Sequence, residues 1–186
     1  MSYIKRRQFL QFSASTLATI GLSQLDILQQ STQYSKVLAQ GTGRKLALLV
    51  GINEYANGIP SLRGCVNDVK LQRELLIHRF GFQPKDILTL TDEQATRQGI
   101  LTAFEQHLIN QAKPGDVVVF HFSGHGSRVQ DPDKDEADGL NSTLVPVDGI
   151  VTPGPVNHIM GHTLFLLMSA LKTDLSLIHI SEPTRR

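Results

Sequence analysis

The pentapeptide Phe122-Ser123-Gly124-His125-Gly126 holds the residues best suited to chemistry. Histidine titrates closer to neutrality than any other unperturbed side chain, so His125 can take a proton and return it. The flanking glycines permit unusual backbone angles and close approach of a substrate. The competing reading is a loop histidine between two turn glycines, with no chemical role. A second concentration of polar groups follows it: Asp131, Asp133, Asp135 and Asp138 suggest calcium. The EF-hand pattern fails there, because its glycine position holds Glu136 and its final glutamate position holds Ser142. A solvated acidic loop is the simpler reading. Cys65 is the one cysteine, which excludes an internal disulfide framework and a multi-cysteine zinc site. Nothing around it marks an activated thiol. His78 and His107 fall on predicted helices and His121 on a predicted strand, without a ligand constellation.

These residues need elements to carry them. Lys45 to Val50 is a continuous apolar run ending at Gly51, as in a strand buried on both faces. Val66, Val69, Leu76 and Phe80 recur at helical spacing, and Gly81 closes the segment. Asp86 to Thr91 reads as a second strand. Ile100, Leu101, Phe104 and Leu108 mark a second helix, and Pro114-Gly115-Asp116 a turn. Val117 to Phe122, β-branched and aromatic, reads as a third strand. A polar loop is expected from Gly124 to Asn141, a short helix from Leu164 to Leu171, and a fourth core strand after that. The order β-α-β-α-β predicts an α/β fold, a mostly parallel sheet with helices on both faces. Active sites in such sheets lie beyond the carboxyl ends of the strands, where His125 falls.

Four stretches together resemble the large-subunit half of a caspase-like cysteine peptidase, closest to the metacaspase branch. They are Ala47-Leu-Leu-Val-Gly-Ile-Asn-Glu-Tyr55, Leu62-Arg-Gly-Cys-Val-Asn-Asp68, Phe122-Ser-Gly-His-Gly126 and Asp135-Glu-Ala-Asp-Gly139. The resemblance implies a caspase-like three-layer sandwich, incomplete at its C-terminus. It implies that His125 is the dyad histidine and that the Gly126 N–H helps hold the oxyanion. It assigns Asp68, with Cys65 and Ser123, to a substrate pocket that pairs with Arg or Lys. Read alone, Asp68 is better taken as a carboxylate on the first helical turn, favoured by the helix dipole. Some metacaspases require calcium, but Asn141 and His158 stand where acidic residues would strengthen that case. No cofactor is therefore expected. A caspase signature puts the nucleophilic cysteine about 50 residues after the histidine, near residue 175. The chain is expected to hold the histidine but not the cysteine, and to be inactive as it stands. A non-catalytic peptide-binding or scaffolding module is the alternative.

The ends read differently from the middle. Lys5-Arg6-Arg7-Gln8-Phe9-Leu10, followed by mildly apolar residues to Leu22, resembles a twin-arginine export signal. Val37-Leu38-Ala39 has the form of a cleavage site, so residues 1–39 would be removed and the product exported to the periplasm or another extracytoplasmic compartment. A short amphipathic helix packing on the domain is the other reading. Leu175 to Arg185 resembles a translated sequencing adapter, and residues 175–186 are set aside from the fold on that ground, with a genuine strand at 175–180 as the alternative. That leaves 40–174 as the peptidase-like domain. Of 186 residues, the first 39 carry four basic and one acidic side chain, and the last twelve carry two and one. The remainder holds twelve basic against fifteen acidic, so the net +1 comes from the ends. Nothing in that balance suggests nucleic-acid binding. No apolar run is long enough for a conventional membrane span. The expected partners are a peptide or protein substrate and the export machinery.

Overall fold

The computed structural model describes residues 43–131, 139–150 and 156–171, and the backbone of 176–183. The export-signal reading of 1–39, and Asp133, Asp135 and Asp138, lie outside the described residues. All described elements belong to one compact unit, Gly41–Arg186.

Strand β1 (Lys45–Gly51) is central, as its unbroken apolar run requires. It pairs in parallel with β2 (Ile87–Thr91) on one side and β3 (Val117–Gly124) on the other. Side chains alternate across the sheet. Leu46, Leu48 and Val50 join Val118, Phe120 and Phe122 on one face. There they meet Ile100 of α2 (Arg97–Ala103), Phe104 and Leu108 beyond it, and Leu164 of α3 (Gly161–Ser169). The opposite face meets α1 (Cys65–Phe80), whose Cys65, Val69 and Leu76 are buried. Gly51 is where helix and sheet come closest. A Cβ there would lie 2.6 Å from the Cys65 carbonyl oxygen. Helices on both faces give the three layers expected.

Local signals account for the boundaries. Gly81 closes α1 in the left-handed conformation at φ 71°, and the Phe82 N–H reaches back to the Leu76 carbonyl at 3.0 Å. The Thr96 hydroxyl accepts from the Gly99 N–H at 3.0 Å and starts α2. The sequence predicts one regular helix through Leu108, but Phe104–Ile109 widens into a π turn. That turn sets His107 Nε2 at 3.1 Å from the carbonyls of both Ala47 and Asp86. Both oxygens accept, so Nε2 carries the proton.

At the amino end of the sheet, Arg44 donates to Asp86 Oδ1 through Nη2 at 2.6 Å and Nε at 3.0 Å. Asp86 is almost fully buried. Its hydrogen bond to the Arg44 guanidinium holds the carboxyl below its ordinary range and raises Arg44 in return.

Two segments depart from the sequence expectation. The predicted loop after Gly124 contains β4 (Gly126–Gln130), which pairs antiparallel with β5 (Leu140–Leu144). β5 in turn pairs with β6 (Ile159–Met160), making a second small sheet. β4 alternates exposed and half-buried residues, so it needs no apolar run to form. The tail set aside as adapter-like also takes part in the fold. Ser176–Pro183 forms β7, parallel to β3, in register from Val117↔Ser176 to Gly124↔Pro183. The sheet order is therefore β2-β1-β3-β7. A fourth strand was expected at this point, and β3, buried along its whole length, offers an edge that must be covered.

Candidate functional site

β1 and β3 are adjacent and parallel, so the segments leaving their carboxyl ends converge. The odd-numbered residues of β3 face α1. This brings Ser123 against the first turn of α1, where its Oγ donates to Asp68 Oδ2 at 2.9 Å. Ser123 is 2% exposed and Asp68 is half-buried. Cys65 lies one helical turn before Asp68 and is also 2% exposed. That burial keeps its thiol from solvent, which disfavours Cys65 as a nucleophile. Of the three pocket residues expected from sequence, Asp68 faces outward, with the Ser123 hydroxyl behind it.

His125 follows β3 directly and is held on three sides. Its backbone N–H donates to Tyr55 Oη at 2.7 Å. Its ring tilts 55° against the Tyr55 ring, with centroids 4.8 Å apart. Its Nε2 lies 2.8 Å from the Pro60 carbonyl oxygen. A carbonyl only accepts, so Nε2 is protonated in the neutral ring and Nδ1 keeps the lone pair. Burial pushes the Tyr55 hydroxyl well above its ordinary range, outweighing the His125 N–H that lowers it. Electrostatic interactions with Cys65 and Asp92 add to the upward shift, so Tyr55 stays neutral. Gly126 opens β4 and is exposed. Gly124 is a glycine for reasons of space: a Cβ would lie 2.5 Å from Tyr55 Oη.

Tyr55 and Pro60 had no role in the sequence reading. Tyr55 ends one of the quoted stretches, so its presence was visible. The contribution of Pro60 is a carbonyl, which no residue type signals.

Asn141 and His158, weighed above for calcium, are each tied to a neighbour. Asn141 donates its amide to Asp131 Oδ1 at 3.0 Å. His158, 3% exposed, has Nδ1 at 3.0 Å from Thr143 Oγ1. Burial lowers its pKa, favouring the neutral ring. Neither supplies the carboxylate oxygens a hard cation takes. Among the described residues no group of three or more His, Cys, Asp or Glu is placed to hold a metal.

The expected nucleophile position, near residue 175, falls by the amino end of β7. Residue 175 precedes the start of β7, and Ser176 pairs with Val117 at the far end of β3. The position beside His125 is the other end of β7, where the register holds Glu182 and Pro183 opposite Ser123 and Gly124.

A parallel sheet between helix layers, with a histidine and a Ser–Asp pair at its carboxyl edge, defines an α/β fold with its candidate site at that edge. The fold is shared with a crystal structure of a protein from Geobacter sulfurreducens, at TM-score 0.63 and 23% identity, over 76% of this chain and 50% of that one. The family described as metacaspase, peptidase C14 domain, matches residues 45–184, and the chain belongs to that family. Metacaspase-1 of Eremothecium gossypii is 42% identical over 130 residues, 67% of this chain and 28% of that protein. Metacaspase-1 of Yarrowia lipolytica is 45% identical over 113 residues, 58% of this chain and 24% of that protein. Metacaspase-1B of Aspergillus clavatus is 44% identical over 138 residues, 69% and 32%. The chain thus spans less than a third of each of these relatives.

Proposed function

We propose that the chain is the histidine-bearing part of a cysteine endopeptidase that cuts after Arg or Lys. The observation that carries this is the fixed His125 ring, with Nε2 on the Pro60 carbonyl at 2.8 Å and Nδ1 keeping its lone pair. In this reading a thiol supplied beside the end of β3 gives its proton to His125 Nδ1. The thiolate attacks the scissile carbonyl carbon. The imidazolium keeps its Nε2–H on Pro60, and the Gly126 N–H faces the developing oxyanion. His125 Nδ1–H then protonates the leaving amine, and water hydrolyses the thioester. Asp68, braced by Ser123, takes the guanidinium or ammonium of the substrate.

The test on this chain is binding, since Cys65 is its one thiol and is buried. Short peptides ending in Arg, Lys, Asp or Ala are titrated by NMR. The expected order puts Arg and Lys first, with their advantage lost in Asp68→Asn. Equal affinity for Asp and Arg peptides would overturn the pocket assignment. A second reading, a peptide-binding or scaffolding module without catalysis, draws on Glu182 and Pro183 standing beside the histidine strand where a thiol would be needed. A longer chain with a thiol there that still failed to cleave Arg peptides would favour it. We also propose export by the twin-arginine route to an extracytoplasmic compartment. A reporter fused to residues 1–45 tests this: transport unaffected by replacing Arg6 and Arg7 would refute it.

A further inference from the structure

Two backbone N–H groups converge on one carboxylate oxygen at the rim of the site. Asp92 Oδ1 accepts from Asn53 at 2.7 Å and from Glu54 at 3.0 Å. Consecutive N–H groups aimed at one point make a small anion cradle, and the Asp92 side chain fills it. Asp92 pays for that reach with a φ of 43°, a left-handed conformation uncommon for a residue with a Cβ. Asn57, at φ 57°, is the other non-glycine residue with positive φ among the described residues. Its side chain is tied too, donating to the Gly149 carbonyl at 3.0 Å. Both strained residues belong to the same loop and its anchor. Strain of this kind persists only where the surroundings impose it, and it gathers at functional sites.

The anchor is firm. Asp92 begins a short turn after β2, closed by the Ala95 N–H on the Asp92 carbonyl at 2.8 Å. A second tie runs alongside: Val147 N–H donates to the Ala95 carbonyl, and Ala56 N–H donates to the Val147 carbonyl. Tyr55 therefore sits between a residue held by Asp92 and a residue held by Val147. Beyond it the loop delivers the Pro60 carbonyl. Both bonds that orient His125, from Tyr55 Oη and Pro60 O, originate in this one loop.

We propose that Asp92 is a positioning residue: through the Asn53–Pro60 loop it fixes the orientation and tautomer of the His125 ring, which it does not touch. The purpose of that orientation rests on the peptidase reading, but the orientation itself is measured without cleavage.

The experiment records long-range proton–nitrogen correlations of the seven histidines near about pH 8, where neutral rings dominate. In the unaltered chain His125 is expected in the Nε2–H form. Asp92→Gly permits the positive φ and removes the carboxylate. It is expected to change the His125 tautomer ratio about tenfold, the worth of one hydrogen bond. His78, His107 and His158 should keep their signals. Asp92→Asn keeps an uncharged acceptor and should restore most of the ratio. Should Asp92→Gly not fold, Asp92→Asn carries the same test with a smaller shift, because its neutral oxygen accepts more weakly. An unchanged His125 ratio, or equal changes at His107 and His158, would overturn the proposal. Neither result depends on whether Arg peptides bind or are cut, so the two readings fail separately. In a longer chain supplying the thiol, Asp92→Gly should lower kcat and leave KM nearly unchanged.

Discussion

Gly124→Ala tests whether Tyr55 and the strand end are built around each other. The new Cβ would lie 2.5 Å from Tyr55 Oη and 3.0 Å from two ring atoms of Phe122. Carbon contacts are comfortable at about 3.5 Å, so the hydroxyl must retreat by about 1 Å. Its 2.7 Å bond from the His125 N–H would then exceed hydrogen-bonding distance. Overpacking costs about 1–3 kcal/mol and the lost bond about 1 kcal/mol, so the substitution should destabilise by about 2–4 kcal/mol. Tyr55→Phe alone removes that bond, and the long 3.4 Å donation from Tyr55 Oη to the Val145 carbonyl with it, and should cost about 1 kcal/mol. In the double variant the hydroxyl is gone and the methyl occupies its space. Only the Phe122 contacts remain to relax, so the two losses should fall short of their sum by about 1–2 kcal/mol. Urea unfolding of the four proteins measures that coupling. Additivity within about 0.5 kcal/mol would refute the reasoning, because it would mean the methyl and the hydroxyl never compete.

Two pH dependences follow from the buried titratable groups. Asp86 has its folded pKa lowered by Arg44, so its contribution to stability is complete above the ordinary value of 3.8 and is lost as pH falls through the folded value. Thermal melts from about pH 5 to 2 should show this loss, and Arg44→Leu should remove it; an unchanged slope in Arg44→Leu would exclude the pair as its source. His158 also has a lowered folded pKa, so the unfolded chain takes up its proton first. Its contribution is complete above 6.5 and declines as pH drops from there toward the folded value. His158→Gln should flatten the melt profile between about pH 7 and 5, and an unaltered profile would assign the decline elsewhere.

The core elements were legible because burial on both faces leaves a plain mark. Leu46 to Val50 is apolar without interruption, Val117 to Phe122 is apolar but for His121, and Gly81 ends its helix as a glycine should. The β4–β5 ribbon was not legible, since Gly-Ser-Arg-Val-Gln shows no apolar run and one face meets solvent. The π turn was hidden because Phe104 and Leu108 are spaced as in any regular helix. In the site, His125 stood out by residue type, while Asp68 and Ser123 entered only through family resemblance. Pro60 acts through its backbone and Asp92 through a backbone angle, and neither property is written in a side-chain pattern.

Spacing along the chain is an equally indirect guide to which groups meet. A residue count measures distance along the chain, whereas reactivity depends on which strand ends are neighbours. The segment after Asp174 enters the sheet at the amino end of β3 and must cross its whole length before reaching His125. Every group gathered around that histidine obeys the same rule. Tyr55 and Pro60 follow β1, Asp92 follows β2, and Ser123 and His125 close β3. Parallel pairing carries these ends to one edge, where backbone groups leaving β1 orient a ring leaving β3. The carboxyl end of β7 reaches the same edge, in register with Gly124. His125 is thus oriented by contacts from the loop that follows β1, and its geometry can be tested on this chain as it stands.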